Sequence, residues 1–450
     1  MNKQVKSKQR VADYGEVFTS PDIVNAMLDQ VKQETERIDS RFLEPACGTG
    51  NFLIEILYRK LDVVEKSYHR SQLEFERNLV LAISSIYGID ILEDNVNACR
   101  EQLFDLAKER YKALFKKKTK EACRRSLKYI LEKNIIWGDA LDLKTVGPET
   151  HQIIFAEWSF PLHNSLIKRR DFVFAELLPG DSSNQFDLFS KNVHISDLVD
   201  FEDANEVFPG VDIAGGICYF LWERDSKGLC KVVNIHGGVQ TTSTRSLNEF
   251  KTFIRHSKAV PIIRKVLAKH EKTMNELVSA SKPFGLRTYV RPQKKGDLIL
   301  RWQKDEGPYN SKDIIVGVEM INKWKVITSY VGYDHAGNPG KDGKRRVLSK
   351  IDILPPGTIC TETYLVIGSF KNKSEAQNLV VYMQTKFFRF LVAQFMFSHH
   401  ITKDSYSFVP ILDMIIKWTD KMLCERYGIT KEEFEFMESK IRPMGEENDE

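Results

Sequence analysis

The sequence predicts an α/β fold of the doubly wound kind. Short apolar runs alternate with helical periodicity through the first third of the chain, a glycine-rich turn follows the first run, and acids stand at the ends of the next two. Residues 21–38 (PDIVNAMLDQVKQETERI) set apolar side chains at helical spacing behind a Thr-Ser-Pro start, which predicts one capped amphipathic helix. Residues 41–45 (RFLEP) predict a short buried strand that runs into Ala46-Cys47-Gly48-Thr49-Gly50-Asn51, with a helix over 52–59 behind it. A helix over 71–84, a strand over 85–90 (SIYGID), helices over 93–113 and 118–132, and a strand over 134–137 that ends at Gly138-Asp139 complete the pattern.

Further along, 151–156 (HQIIFA), 194–201 (HISDLVDF), 216–222 (GICYFLW) and 230–235 are expected strands. The turn Asp225-Ser226-Lys227-Gly228 predicts an antiparallel hairpin between the last two. A helical stretch over 246–280 then leads to short β-like runs at 297–303, 313–317, 325–331 and 359–367 and a helix over 374–396. That change of grammar predicts a first domain over 1–240, a helical connector over 241–280 and a second domain over 281–450, with no internal repeat. The GEENDE tail, 445–450, is expected to be disordered.

Composition excludes several classes. With 450 residues, the chain has room for two or three domains. No apolar run reaches the roughly 18–20 residues of a membrane span, and the polar, basic start is unlike a secretory signal, so no membrane association is expected. Seven singly placed cysteines predict a reducing, cytoplasmic setting rather than a disulfide framework or a zinc site. His399-His400 and the other histidines lack metal-ligand spacing, and no metal is expected. No phosphate-loop signature and no nuclease-type [DE]-x-K triad on a convincing hairpin is present. Asp200, Glu202 and Asp203 read as a solvated loop. Phe387, Phe388, Phe390, Phe395 and Phe397 read as a packed helix face, with a minor opening for phosphate contact through Lys386 and Arg389. The net charge of +4 names no partner. Basic clusters at 116–128, 168–170 and 341–346 could neutralise phosphates, although each alone reads more readily as a solvated face.

The most specific signal is a constellation at three successive strand ends, where open α/β sheets bind their ligands. At the first, Glu44-Pro45-Ala46-Cys47-Gly48-Thr49-Gly50 offers small residues that let backbone approach a ligand closely. At the second, Asp90 is suited to two vicinal ribose hydroxyls, and at the third, Asp139 can accept from an exocyclic amine. Singly, each is better explained by a plain turn or a cap. An acid roughly 40 residues beyond the glycine turn, rather than roughly 20, argues against a simple dinucleotide fold.

These residues resemble a known family. FLEPACGTGNFL (42–53) looks like motif I of the DNA adenine-N6 methyltransferases, IYGIDILEDNVNAC (86–99) like motif II, and NIIWGDAL (134–141) like motif III. GEVFTSP (15–21) resembles the G-x-x-[FY]-T-P-x motif that precedes them in the gamma-type order, with the Thr-Pro pair spread to Thr19-Ser20-Pro21. Segments at 197–222, 282–286 (KPFGL), 386–394 and 408–413 extend the resemblance toward Eco57I-like restriction–modification methylases. The resemblance implies a Rossmann-like class I methyltransferase sheet with a C-terminal α+β target-recognition domain. It also implies S-adenosyl-L-methionine as cofactor and double-stranded DNA as partner, and leaves open whether a restriction endonuclease is associated. Thr19, Glu44, Ala46, Gly48, Asp90 and Asp139 would then line the cofactor pocket, with Glu44 at the methionyl amine, Asp90 at the ribose and Asp139 at the adenine amine.

One departure bears on mechanism. The family acts on a base flipped out of the duplex through a [DNS]-P-P-[YF] motif at the end of the fourth strand. That motif is absent from this sequence, whose only Pro-Pro pair is Pro355-Pro356. The interval expected to hold it, 175–193 (AELLPGDSSNQFDLFSKNV), is too short for the strand and helix and reads as an internal deletion. Ala156-Glu157-Trp158-Ser159-Phe160-Pro161 offers aromatic residues near the right place but reads as a packed insertion. The expectation is therefore a site-specific DNA adenine-N6 methyltransferase with unknown catalytic residues. The alternative is an inactive remnant or subunit that binds DNA, cofactor or a partner without methyl transfer.

Overall fold

The computed structural model describes residues 4–160, 167–177, 195–211, 213, 215–223, 228–303, 305–330, 343–348, 350–395 and 401–444. The chain forms two compact units. The first comprises Met1–Leu188, Asn205–Val211 and Tyr219–Leu221, and the second Phe189–Ala204, Asp212–Cys218 and Trp222–Glu450. Most of the 175–193 interval, from 178 onward, the 225–227 turn, His399-His400 and the 445–450 tail lie outside the described residues.

In the first unit, α1 (Lys8–Tyr14), α2 (Pro21–Asp29) and α3 (Lys32–Thr35) lead to β1 (Phe42–Glu44). The single helix expected over 21–38 is thus broken. Gln30 and Val31 donate to Met27 and Leu28 in tight i→i−3 bonds, and Val31 then leaves helical geometry at φ −121°, ψ 35°. α4 spans Asn51–Tyr68, about two and a half turns beyond the expected 52–59, because Leu53, Ile56, Leu57, Leu61 and Val64 continue the apolar stripe. α5 (Gln72–Ser84), β2 (Ile86–Asp90), α6 (Glu93–Phe115), α7 (Glu121–Asn134) and β3 (Ile135–Asp139) follow as expected. The N-cap Ser71 hydroxyl accepts from the Glu74 N–H to start α5.

β1, β2 and β3 are parallel neighbours in that order, and the short β4 (Lys144–Thr145) runs antiparallel beside β3. Side-chain alternation divides β2 between two cores. Ile86 joins the helices α2 and α4–α7, whereas Tyr87 and Ile89 pack with Ile153, Phe155 and Phe174. All five residues of β2 are buried, as a parallel strand covered on both faces requires. β5 (Ile154–Ser159), which forms where a strand is expected over 151–156, pairs antiparallel with β6 (Lys168–Val173) rather than with the parallel sheet, followed by the short α8 (Phe174–Leu177). The local partner wins, and among the described residues β1 stays an edge of the parallel sheet.

β7 (Ile195–Phe201), β8 (Ile217–Trp222), β9 (Cys230–His236) and β10 (Val239–Arg245) form a sheet in the order β10-β9-β7-β8. The hairpin expected between β8 and β9 is therefore not formed, since β7 lies between them and runs parallel to β9. The hairpin joins β9 to β10 through Gly237 and Gly238, at φ 56° and 74°, the positive pair that a two-residue turn of right-handed strands demands. The helix expected over 246–280 shrinks to α9 (Ala259–Leu267), which ends before His270 at φ 50°. β11 (Leu298–Trp302), β12 (Asp305–Tyr309), β13 (Trp324–Ser329), β14 (Ile351–Leu354), β15 (Thr358–Cys360) and β16 (Tyr364–Phe370) make two three-stranded sheets, β12-β11-β15 and β14-β13-β16. The expected strand at 313–317 is not one; 3-10 turns flank it at Ser311–Asp313 and Val318–Met320. The long final helix divides at Thr385, whose ψ of 150° is extended, into α10 (Lys373–Gln384) and α11 (Lys386–Ala393); α12 (Asp420–Tyr427) and α13 (Lys431–Lys440) close the second unit. Phe387, Phe388 and Phe390 are fully buried in its core, as expected. Lys386 is paired with Glu438, and Arg389 is buried against the Arg442 carbonyl, which leaves Arg389 closed to a phosphate.

Of the acids read as a solvated loop, Asp203 is exposed, but Asp200 and Glu202 prove to be buried. Asp200 is held by the Arg255 guanidinium at 2.8 and 2.9 Å. The Glu202 side chain, 4 % exposed, is ringed by Lys440 at 2.9 Å, His236 at 3.2 Å, His256 at 3.3 Å and Arg345 at 3.5 Å. Burial would raise its carboxyl, but His256 and Lys440 outweigh burial and hold it well below the carboxylate range. Sequence spacing hides this arrangement because the four partners come from widely separated segments.

Candidate functional site

The ends of β1 and β2 meet around Asp90. Its side chain belongs to a residue only 8 % exposed, yet among the described residues it touches no cation; three N–H donors hold it instead. Gly48 N–H donates to Oδ2 at 2.8 Å, while Leu92 N–H and the Asn95 amide donate to Oδ1 at 2.9 and 3.2 Å. An ionised carboxylate has about four acceptor positions, so Oδ2 keeps capacity for an incoming hydroxyl. Cys47 N–H donates to the Ile89 carbonyl at 2.9 Å, which ties the glycine turn to the end of β2.

The turn needs its glycines. Gly48 and Gly50 have φ of 52° and 98°, and a Cβ on Gly50 would stand 2.8 Å from Cys99 Sγ. Gly50→Ala is expected to cost about 1–3 kcal/mol, from strained φ and the forced shift of Cys99, measurable as a lowered denaturation midpoint of the full chain. Cys47 and Cys99 are both buried, and the Cys47 thiol is raised by its contact with Cys99 and then by burial, which keeps it protonated and inert.

Thr19 and Phe18 close one side of the turn. Asn51, the first residue of α4, donates from Nδ2 to the Thr19 carbonyl at 3.0 Å, and the Phe18 ring reaches within 3.1 Å of where a Gly48 Cβ would lie. Ala46 is exposed at the mouth. Burial pushes the Glu44 carboxyl up to about 7, with the Ala46 N–H pulling the other way. Asp139 ends β3, two residues past Trp137, the register partner of Asp90. Its Oδ1 accepts from Leu141 N–H at 2.8 Å and Asp142 N–H at 3.3 Å, so it also caps its own turn.

Hydrogen bonds and the glycine-turn geometry therefore link Thr19, Gly48 and Asp90, with Glu44 and Ala46 at the same strand end and Asp139 on the neighbouring one. Sequence reading missed Asn95, Glu16 and Arg10, which stand behind Asp90; a polar residue in the first turn of an amphipathic helix carries no distinguishing signal. It also missed Ile91 and Leu141, apolar side chains 41 % and 93 % exposed just beyond the two acids. Trp158, by contrast, packs as an inserted aromatic: its Nε1 donates to Asn134 Oδ1 at 2.9 Å and its ring meets Tyr129 edge-on. Among the described residues no group of His, Cys, Asp and Glu is arranged to hold a metal, and no helix is long and apolar enough to cross a membrane.

No curated protein matches the chain. Among solved structures, the Type IIL restriction–modification enzyme MmeI in complex with DNA matches at TM-score 0.36 and 8 % identity, over 84 % of this chain and 66 % of that one, a likeness too low to argue from. The family model described as MmeI, DNA-methyltransferase domain, matches residues 20–154, the span that holds the glycine turn and both strand-end acids, and it supports an α/β DNA-methyltransferase domain there.

Proposed function

We propose that the chain is an S-adenosyl-L-methionine-dependent DNA adenine-N6 methyltransferase of a restriction–modification system, gamma-type in motif order. Its catalytic half would fall within 1–240 and its target recognition within 281–450, joined by 241–280. The observation that carries this reading is Asp90, a buried carboxylate that among the described residues is met by N–H donors alone, beside a glycine turn and inside the span that matches a methyltransferase family. The residues fit the nucleoside. Asp90 Oδ2 can accept a ribose hydroxyl, the turn exposes backbone where side chains would block a ligand, and Glu44 is the acid for the methionyl ammonium. Asp139 accepts from the adenine amine, with Ile91 and Leu141 as apolar cover for the ring. The cofactor supplies the methyl group, and the chain's part is to orient it and to keep water from it. Double-stranded DNA is the partner this reading requires, with an associated restriction endonuclease where the system includes one.

Glu44 makes binding pH-dependent. Its carboxyl lies at about 7 rather than 4.5, so the free fold gains stability as pH falls from about 7 toward 4.5, while the ammonium-binding, ionised form is lost over the same window. Affinity for S-adenosylmethionine is expected to weaken by about tenfold per pH unit below that value, read by calorimetry, and to be flat in Glu44→Gln.

The missing [DNS]-P-P-[YF] motif favours a second reading, a chain that binds cofactor and DNA without transfer. Tritiated methyl incorporation into unmodified duplex DNA separates the two: counts above background support the enzyme, and background counts with intact cofactor binding support the silent form.

A further inference from the structure

Behind Asp90 stands a side chain whose every polar atom is committed. Asn95, 1 % exposed at the start of α6, divides its amide between charges of opposite sign. Its Nδ2 donates to Asp90 Oδ1 at 3.2 Å and to Glu16 Oε1 at 2.8 Å. Its Oδ1 accepts from Lys6 Nζ at 2.6 Å and from the Arg10 guanidinium at 3.4 Å. Reversing the amide would turn an oxygen toward two carboxylates and an NH2 toward two cations, so the network admits one orientation. Glu16 is held in turn by Arg10 at 2.6 and 2.7 Å, and Arg10 and Lys6 both reach Asp94. The Glu16 side chain is 7 % exposed, and although burial works against its charge, Arg10 and Asn95 keep its carboxyl below the ordinary value.

The arrangement has a physical purpose that packing alone does not demand. Asp90 and Glu16 are two buried carboxylates near one another, and without a donor between them they would repel and turn apart. The Asn95 NH2 gives each a hydrogen bond and so fixes the rotation of the Asp90 carboxylate. With Leu92 N–H also on Oδ1, the oxygen left with spare acceptor capacity is Oδ2, beside the Gly48 N–H. A ribose hydroxyl must meet that oxygen in a set direction.

We propose that Asn95 is a positioning residue for the ribose-binding carboxylate, and that the N-terminal arm, through Lys6, Arg10 and Glu16, is part of the nucleoside site rather than a peripheral segment. The inference rests on the reading of Asp90 given above. It assigns to the site four residues that make no contact with the ligand themselves.

The test compares S-adenosylhomocysteine with its 2′,3′-dideoxy analogue by calorimetric titration of the full chain. The wild type is expected to prefer the ribosyl ligand, and Asn95→Ala to shrink that preference by about tenfold while its affinity for the dideoxy analogue stays the same, since a hydrogen bond to a charged group is lost only on the ribose side. A merely structural role would weaken both ligands alike, and equal weakening or an unchanged preference overturns the proposal. Should Asn95→Ala fail to fold, Glu16→Gln interrupts the relay from its far end. It is expected to shrink the same preference by a smaller factor, and an unchanged preference overturns the proposal there too. Wild-type protein that binds neither ligand, or Asp90→Ala that binds as tightly as wild type, overturns the site itself. Dependence on Asp90 with no dependence on Asn95 or Glu16 overturns only the relay.

Discussion

Asp90→Ala is expected to abolish the thermal stabilisation that S-adenosylmethionine confers on the wild type. With a micromolar dissociation constant and millimolar ligand, that stabilisation amounts to about 4 kcal/mol. The substitution removes the acceptor for the ribose and leaves the Gly48 and Leu92 N–H groups and the Asn95 amide without their partner. The free variant should therefore melt lower as well, because each orphaned donor costs about 1–3 kcal/mol where it stays dry. The informative quantity is the ligand-induced shift, not the melting temperature. A shift in Asp90→Ala equal to that of wild type would remove the basis for placing the nucleoside at the end of β2.

Glu202→Gln is expected to lower stability by about 3–5 kcal/mol, since it leaves Lys440 and Arg345 facing a neutral amide in a buried setting. Urea denaturation followed by tryptophan fluorescence would measure it. The sign with pH follows from the depressed carboxyl. Its contribution is present in full above the unfolded value near 4.5 and is lost as pH falls through the lower folded value, so wild type and variant should converge in acid. A variant within about 0.5 kcal/mol of wild type at neutral pH would show that the four basic groups find other partners when the acid is gone.

The first unit was largely legible from the sequence because its elements are long and strongly periodic. α5, α6, α7, β2 and β3 fall within a few residues of expectation, and the acids at Asp90 and Asp139 stand at strand ends as read. What failed depended on tertiary choice. β5 carries the apolar run of a central strand yet pairs with β6, and nothing in 151–156 says which neighbour will be available. The Asp-Ser-Lys-Gly segment has turn chemistry, but Gly237-Gly238 has the stronger hairpin signal, with both residues free to take positive φ. The long helix expected over 374–396 hides its break because Thr385 can serve as a helix N-cap, accepting from Phe388 N–H, as readily as it can continue a helix. For the site, residue type revealed the acids and the glycine turn but not Asn95 or the Glu202 cluster, whose partners converge from remote positions in sequence.

The placement of β7 beside β9 sets an expected order of formation for the sheet β10-β9-β7-β8. β9 and β10 are adjacent in sequence and closed by two glycines, so that hairpin can form within microseconds of collapse. β7 must find β9 across roughly thirty intervening residues and in parallel alignment, which carries a larger loop-closure entropy and no turn to guide registry. The hairpin is thus the template and β7 the latecomer, and until β7 docks, the free edge of β9 is the part of this sheet most open to a mismatched strand.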